Sequence, residues 1–272
     1  MNVEKKERID TLLVQKGLFA SREQAKRSIM AGLVYVNQER IEKAGTKVPV
    51  DVSIEVKGQL HPYVSRGGLK LEEAVKTFGI DLKNRVLLDI GASTGGFTDC
   101  ALQNGAKQVY AIDVGYGQLA WKLRQDPRVI VMERTNFRYV KPEHLTGDIP
   151  DFAVIDVSFI SLKHIFPNLK DLLSRGGEVV ALIKPQFEAG KEEVGKKGIV
   201  KDPKVHRKVL MNTVKLAESL NYRVEGITPS PIQGGEGNIE FLGYLTFPKT
   251  RESNIDWETK IKEVVDEAHE RF

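Results

Sequence analysis

Apolar and polar positions alternate along this chain with two different periods. Short aliphatic runs recur at residues 85–90, 108–114, 129–133, 152–157, 178–184, 222–228 and 240–247, and each has the length and β-branched content of a buried strand. Stretches with helical spacing separate most of them, including Leu162 to Leu173 and Val205 to Leu220, with a further one from Lys70 to Phe78 before the first run. Strands alternating with helices predict a doubly wound, mostly parallel sheet. Between the last two runs lies only S-P-I-Q-G-G-E-G-N, too short for a crossover helix, so those strands are expected to pair antiparallel. A seven-stranded, Rossmann-like sheet with one reversed strand is the expected α/β fold class. The carboxyl end, W-E-T-K-I-K-E-V-V-D-E-A, has the spacing of an amphipathic helix.

The first sixty residues follow another pattern. Apolar positions 9, 12 and 13 mark one face of a helix that Gly17 stops. Ser21-Arg22-Glu23-Gln24 has the form of a capping box opening a second helix, which ends at Gly32 before the short strand Leu33-Val34-Tyr35-Val36. A small α+β module over 1–60, a glycine- and proline-containing linker over 61–69 and a large domain over 70–272 are therefore expected. Charge follows the same division. Residues 1–60 carry 11 Lys/Arg against 8 Asp/Glu, an excess of three out of the formal +4 for the whole chain. On the second helix Arg22, Lys26 and Arg27 lie about a turn apart, a basic face suited to a phosphate backbone and equally to plain solvation.

Composition narrows the function classes. With 272 residues, 41% hydrophobic and 29% charged, the chain has the make-up of a globular protein. Its longest aliphatic run, Val179–Ile183, falls far short of the ~20 residues that span a bilayer, and the amino terminus has no secretory pattern, so a cytoplasmic location is expected. A single cysteine, Cys100, and five scattered histidines lack ligand spacing, and no metal site is expected.

The chemistry concentrates where the apolar runs end. Residues 86–99, V-L-L-D-I-G-A-S-T-G-G-F-T-D, run from a strand through Asp89 into a loop of small residues and then a helix. Such a loop is a cofactor cradle at the carboxyl edge of a sheet. Its glycines, Gly91, Gly95 and Gly96, would let backbone approach a ligand, with Ser93, Thr94, Phe97 and Thr98 around it. The spacing is G-x-x-x-G-G, without the middle glycine that admits a pyrophosphate, and the Asp89 carboxylate would repel a phosphate. A cationic ligand lacking phosphate, such as S-adenosylmethionine, fits better. Asp113 stands twenty-two residues after Gly91, placed to accept from two ribose hydroxyls, and Glu133 or Asn136 would read an adenine edge. Two more runs end in charge, at Asp156 and at Lys184, which the fold alone gains nothing from. Methyl transfer to a hydroxyl needs a base, and a lysine serves when a second cation such as Lys70 favours its neutral form.

Two resemblances sharpen these expectations. The segment S-R-E-Q-A-K-R-S-I-M-A-G-L-V-Y-V-N-Q resembles the αL RNA-binding module shared by a small-subunit ribosomal protein and several RNA-modifying enzymes. S-R-G-G-L-K-L at 65–71, D-V-S-F-I-S-L at 156–162, I-K-P-Q-F-E at 183–188 and G-N-I-E-F-L at 237–242 resemble successive motifs of the TlyA family, ribosomal RNA ribose 2′-O-methyltransferases often labelled hemolysin. By analogy with the wider FtsJ-like group, that resemblance implies a Lys-Asp-Lys-Glu tetrad at Lys70, Asp156, Lys184 and Glu240, with Lys184 as base. It also implies S-adenosylmethionine as cofactor, RNA contacts at Arg22, Lys26, Arg27 and Arg66, ribosomal RNA or ribosomal subunits as partner, and a cytidine target. A monomer or weak dimer without membrane or metal is expected. A pore-forming hemolysin and a non-catalytic ribosome-assembly factor are the alternatives. The lysine-rich segment between Glu188 and Pro203 is either a flap closing on RNA or a solvated loop.

Overall fold

The computed structural model describes residues 6–19, 21–30, 32–57, 62–250 and 254–272, apart from the side chain of Glu236. The chain divides into two units, Met1–Pro62 and Tyr63–Phe272. The start of the expected linker, at residue 61, lies outside the described residues.

In the first unit the strand Lys6–Arg8 pairs antiparallel with Lys47–Pro49 and runs directly into the helix Ile9–Gln15. The second helix, Arg22–Met30, opens as the sequence predicts, with Ser21 Oγ accepting from Gln24 N at 3.2 Å. Val34–Val36 is the centre of a three-stranded sheet flanked by Glu39–Arg40 and Ile54–Val56. Ile9, Leu12, Leu13, Ala25, Ile29 and Val34 form a small core of their own.

The second unit is built on a seven-stranded sheet: β1 (Val86–Ile90), β2 (Gln108–Ile112), β3 (Val129–Met132), β4 (Phe152–Ile155), β5 (Gly177–Ile183), β6 (Arg223–Pro229) and β7 (Phe241–Phe247). Their spatial order is β6-β7-β5-β4-β1-β2-β3. All neighbours are parallel except β7, which runs antiparallel to both β5 and β6. The order reverses direction between β1 and β4, and their carboxyl ends open the crevice where such sheets bind ligands.

Helices cover both faces. The principal ones are α1 (Gly67–Phe78), α2 (Gly96–Gln103), α3 (Trp121–Arg124), α4 (Phe166–Leu169), α5 (Pro185–Glu188), α6 (Pro203–Ser219) and α7 (Trp257–Arg271). Leu71 and Ala74 of α1 with Phe97, Cys100 and Ala101 of α2 pack on the face carrying Leu87, Val109 and Val154. Val209, Leu210 and Val214 of α6 with Ile261, Val264 and Val265 of α7 pack on the opposite face, against Leu88, Ile155 and Ala181. Two-sided burial explains why the strands read as continuous apolar runs.

The sequence pattern and the structure differ in two places. The glycine pair read as linker starts α1, with Gly68 seated against the Tyr63 ring where a Cβ would lie 2.4 Å from the ring carbons. The helix expected over 162–173 is broken into a 3₁₀ turn, Leu162–His164, and the four-residue α4, because Pro167 cannot donate to the preceding turn.

Candidate active site

The strand ends deliver the charged residues to one edge of the sheet. Lys184 follows β5, Asp156 follows β4, Lys70 lies in the first half of α1, and Glu240 precedes β7. Because β7 is reversed, its beginning reaches the edge where the other strands end. Lys70 Nζ donates to Glu240 Oε2 at 2.6 Å with both side chains almost fully buried. Lys184 Nζ lies 2.5 Å from Asp156 Oδ1 and donates to Ser158 Oγ at 3.1 Å. Each ammonium thus has its own carboxylate, an arrangement that the expectation of one lysine tuning the other does not include. Both pairs line one cavity of about 250 Å³, together with Asp89, Gly91, Ser93, Thr94, Gly96, Phe97 and the exposed Arg66.

A second cavity, of about 440 Å³, continues along the edge and shares Gly91, Ser93 and Asp156 with the first. Asp113 and Asn136 line it, as do Phe137 and Val157. The Asp113 carboxylate already accepts from Ser93 N and Gly115 N, each at 2.7 Å, which fixes the loop and leaves lone pairs for a ligand hydroxyl. Asn136 Oδ1 accepts from Arg138 N at 3.2 Å. Glu133 has a different task from the one its position suggests. Its carboxylate accepts from Gly117 N at 3.0 Å and Gln118 N at 3.2 Å, pairs with Arg124, and lines neither cavity. The hydrogen bond from Gly117 N, followed by those from Arg124 and Leu119 N, holds its carboxyl below the usual range against the opposing effect of burial. Glu133 braces the loop over residues 115–119; of the two residues expected to read an adenine edge, Asn136 is the one at a cavity.

Glycines in the cradle serve packing. A Cβ on Gly91 would sit 2.3 Å from the Asp156 carbonyl oxygen, and one on Gly95 would meet the Leu123 side chain at 2.3 Å. Gly96 faces Ser65 Oγ and Gly68 N in the same way. These glycines let β1 and α2 close onto neighbouring elements, and Gly91 and Gly96 also line the cavity, where the expected ligand approach would take place. Asp89 is wholly buried, with Oδ2 accepting from Thr98 Oγ1 at 2.6 Å and Oδ1 without a partner. Burial, reinforced by the nearby Asp156 and Asp113 charges, pushes its carboxyl up to about 7, against the opposing Thr98 bond.

Several residues were missed at sequence level. Ser158 holds Lys184, and Gln186 Nε2 donates to Glu240 Oε1 at 3.4 Å. Gly234 leaves room for that carboxylate, since a Cβ there would be 2.2 Å from Glu240 Oε1. Glu188 accepts from Ser161 Oγ at 2.6 Å and Leu162 N at 2.8 Å, tying α5 to the loop that follows β4. In that loop Phe159 has φ of +63° and is 91% exposed, its ring 5.1 Å from that of Phe187. The motifs D-V-S-F-I-S-L and I-K-P-Q-F-E contain Phe159 and Phe187, but an exposed phenylalanine cannot be told from a core one by pattern.

In the first unit, Asp10 is fully buried and accepts from Arg22 Nη2 at 2.8 Å and Arg8 Nε at 3.0 Å. Hydrogen bonds from Arg8, then from Arg22, hold its carboxyl well below the usual range. Arg22 thus has a structural anchor as well as an exposed side, and Arg8, which the sequence pattern does not single out, joins it. Arg27 is exposed and Lys26 half-buried.

The site fits a cationic ligand. Asp89, Asp113 and Asp156 ring the cradle, the orphaned Asp89 Oδ1 faces no protein donor, and Lys70 and Lys184 are already paired. Among the described residues no cluster of metal-binding side chains occurs, and no helix is long and apolar enough to cross a membrane.

Comparison with known proteins agrees with this architecture. The family model for FtsJ-like methyltransferases matches residues 63–247, and that for the S4 domain matches 7–54. A Bacillus subtilis protein provisionally named as an rRNA methyltransferase is 58% identical over 97% of this chain and 95% of its own. The 16S/23S rRNA (cytidine-2′-O)-methyltransferase TlyA of Mycobacterium tuberculosis is 44% identical over 88% of this chain and 89% of its own. A solved structure from Streptococcus thermophilus, described provisionally as a hemolysin, covers 99% of this chain and 98% of its own at 52% identity and a TM-score of 0.78. With a seven-stranded sheet, one reversed strand and these relatives along nearly its whole length, the chain belongs to the TlyA family of FtsJ-like methyltransferases and carries an S4 domain at its amino end.

Proposed function

We propose that this enzyme transfers a methyl group from S-adenosylmethionine to a ribose 2′-hydroxyl of ribosomal RNA, with cytidine as the target nucleoside. The observation that carries the reading is the meeting of the Lys70–Glu240 and Lys184–Asp156 pairs in one cavity beside the Asp89 and Asp113 cradle. When bound, S-adenosylmethionine supplies an electrophilic methyl on a sulfonium. Asp89 and the loop 91–98 would hold its charged end, with Asp113 at the ribose and Asn136 at the base. Once its ammonium has lost a proton to solvent, the neutral Lys184 Nζ takes up the proton that leaves the 2′-oxygen, and Asp156 and Ser158 hold the ammonium so re-formed through the contacts present in the structure. The Lys70–Glu240 pair, fixed by burial, orients the nucleophile's side of the cavity. Exposed Phe159 and half-buried Phe187 beside Lys184 give a nucleobase an aromatic surface, and the S4 domain offers Arg8, Arg22, Lys26 and Arg27 to RNA phosphates, with Arg66 at the cavity rim. With ribosomal RNA as the proposed partner, a cytoplasmic location follows.

Purified ribosomal subunits incubated with methyl-labelled S-adenosylmethionine test the reading. Label is expected on a ribose of cytidine, and with Lys184→Ala it should vanish while RNA binding persists. Absence of label with the wild-type protein would leave a non-catalytic assembly factor as the better account. Release of dye from liposomes would instead favour the pore-forming reading.

A further inference from the structure

Asp89 lies one residue before the end of β1, on the floor of the cavity and shut off from solvent. Thr98 of α2 serves one carboxyl oxygen; the other has no donor. Among the described residues, the neighbouring elements bring no unpaired cation to it. β2 and β4 contribute Asp113 and Asp156, both of the same sign as an ionised Asp89. From α1, Lys70 is bound to Glu240 at the head of β7, and after β5 Lys184 is bound to Asp156. Asp99, the other acid of α2, accepts from Val64 N and pairs with Lys122. Arg66 lies at the exposed rim. A buried carboxylate beside two others and without a cation is costly, and the neutral acid relieves that cost.

We infer that Asp89 holds a proton in the ligand-free site and releases it to solvent when a cationic ligand enters the cavity, which links cofactor binding to pH. The inference rests on the proposed identity of the cofactor as S-adenosylmethionine. The balance is simple: the carboxylic acid and the free cation become a carboxylate beside a bound cation, and one proton passes to the buffer. Only the O–H bond of Asp89 breaks. Thr98 continues to donate to Oδ2, and the new charge faces the ligand through the oxygen that has no partner in the protein.

Calorimetric titration of the full-length chain with S-adenosylmethionine, in two buffers of different ionisation enthalpy, reads the proton directly. Close to one proton should be released per ligand at pH 6 and about a quarter at pH 7.5, with affinity rising roughly five- to tenfold across that interval. Asp89→Asn, neutral at every pH, should bind with no release and a flat affinity profile. If that variant fails to fold, infrared spectroscopy of the wild type provides the second measurement. The carbonyl band of a buried protonated carboxyl should be present in the free protein at pH 6 and disappear at saturation. Binding with equal enthalpy in both buffers from pH 6 to 7.5 would overturn the inference and leave the cofactor assignment standing. Release that persists in Asp89→Asn would also overturn it. A complete absence of binding in every buffer would overturn the cofactor assignment itself.

Discussion

A single methyl group at position 91 would meet the carbonyl oxygen of Asp156, and residue 91 has φ of +87°, a conformation L side chains rarely adopt. Clash and backbone strain act together there. Gly91→Ala is expected to lower unfolding stability by more than about 2 kcal/mol, measured by urea denaturation, and to weaken cofactor binding, because relief of the clash moves the Asp156 backbone. Lys184→Arg separates chemistry from charge. Arginine keeps the ion pair but cannot serve as a base, so single-turnover methyl transfer should fall roughly 10²- to 10⁴-fold at unchanged stability. Thr98→Val removes the sole side-chain donor to a buried carboxyl and should cost about 1–3 kcal/mol, again read from urea midpoints.

Between helices, the most consequential polar contact joins α6 to α7. His206 is fully buried, its Nε2 donates to the Val200 carbonyl at 3.2 Å, and its Nδ1 lies 2.9 Å from His269 Nε2. Burial, with the His269 charge, pushes the His206 pKa down to about 4. A folded value below the unfolded one means that the unfolded chain takes up the proton first. Stability should therefore hold above about pH 6.5 and decline as pH falls toward 4, by up to about 3 kcal/mol from this residue. Urea midpoints between pH 8 and 4.5 check this, and His206→Gln should show a shallower slope. The contact matters to the site because Val200 and Gly198 are clamped by Asn238, two residues before Glu240.

The elements of the large unit were legible because strands buried on both faces are unbroken apolar runs, and a charged residue after such a run has no structural reason to be there. Asp156 and Lys184 stand out on that ground alone. Legibility failed where several roles use the same residue type. Glu133 ends a strand like the others, yet backbone amides of the next loop, far closer in space than in sequence, claim its carboxylate. Glycines in the cradle have the spacing of a ligand loop, and that spacing does not tell that the same positions also admit other backbone and side chains. The helix expected at 162–173 failed on Pro167, whose effect outweighs the apolar periodicity around it.

Over the whole molecule, every residue that lines the two cavities falls between Ser65 and Glu240, within the unit Tyr63–Phe272. A fragment of residues 63–272 should therefore bind S-adenosylmethionine with affinity close to that of the full chain, by calorimetry, while losing most RNA affinity in a filter-binding assay. Equal RNA affinity in fragment and full chain would show that the S4 domain is not the anchor.

The reversed β7 has a consequence in time. Its first residues bring Glu240 to Lys70, a pair separated by 170 positions. During synthesis, Lys70, the cradle and Lys184 leave the ribosome first, in the order the chain is made, and the buried lysine has no counter-ion until residue 240 follows. The cradle precedes the complete tetrad by well over a hundred residues. A nascent chain therefore holds Lys70 without its carboxylate until residue 240 has been made, and the proposed centre can close only then.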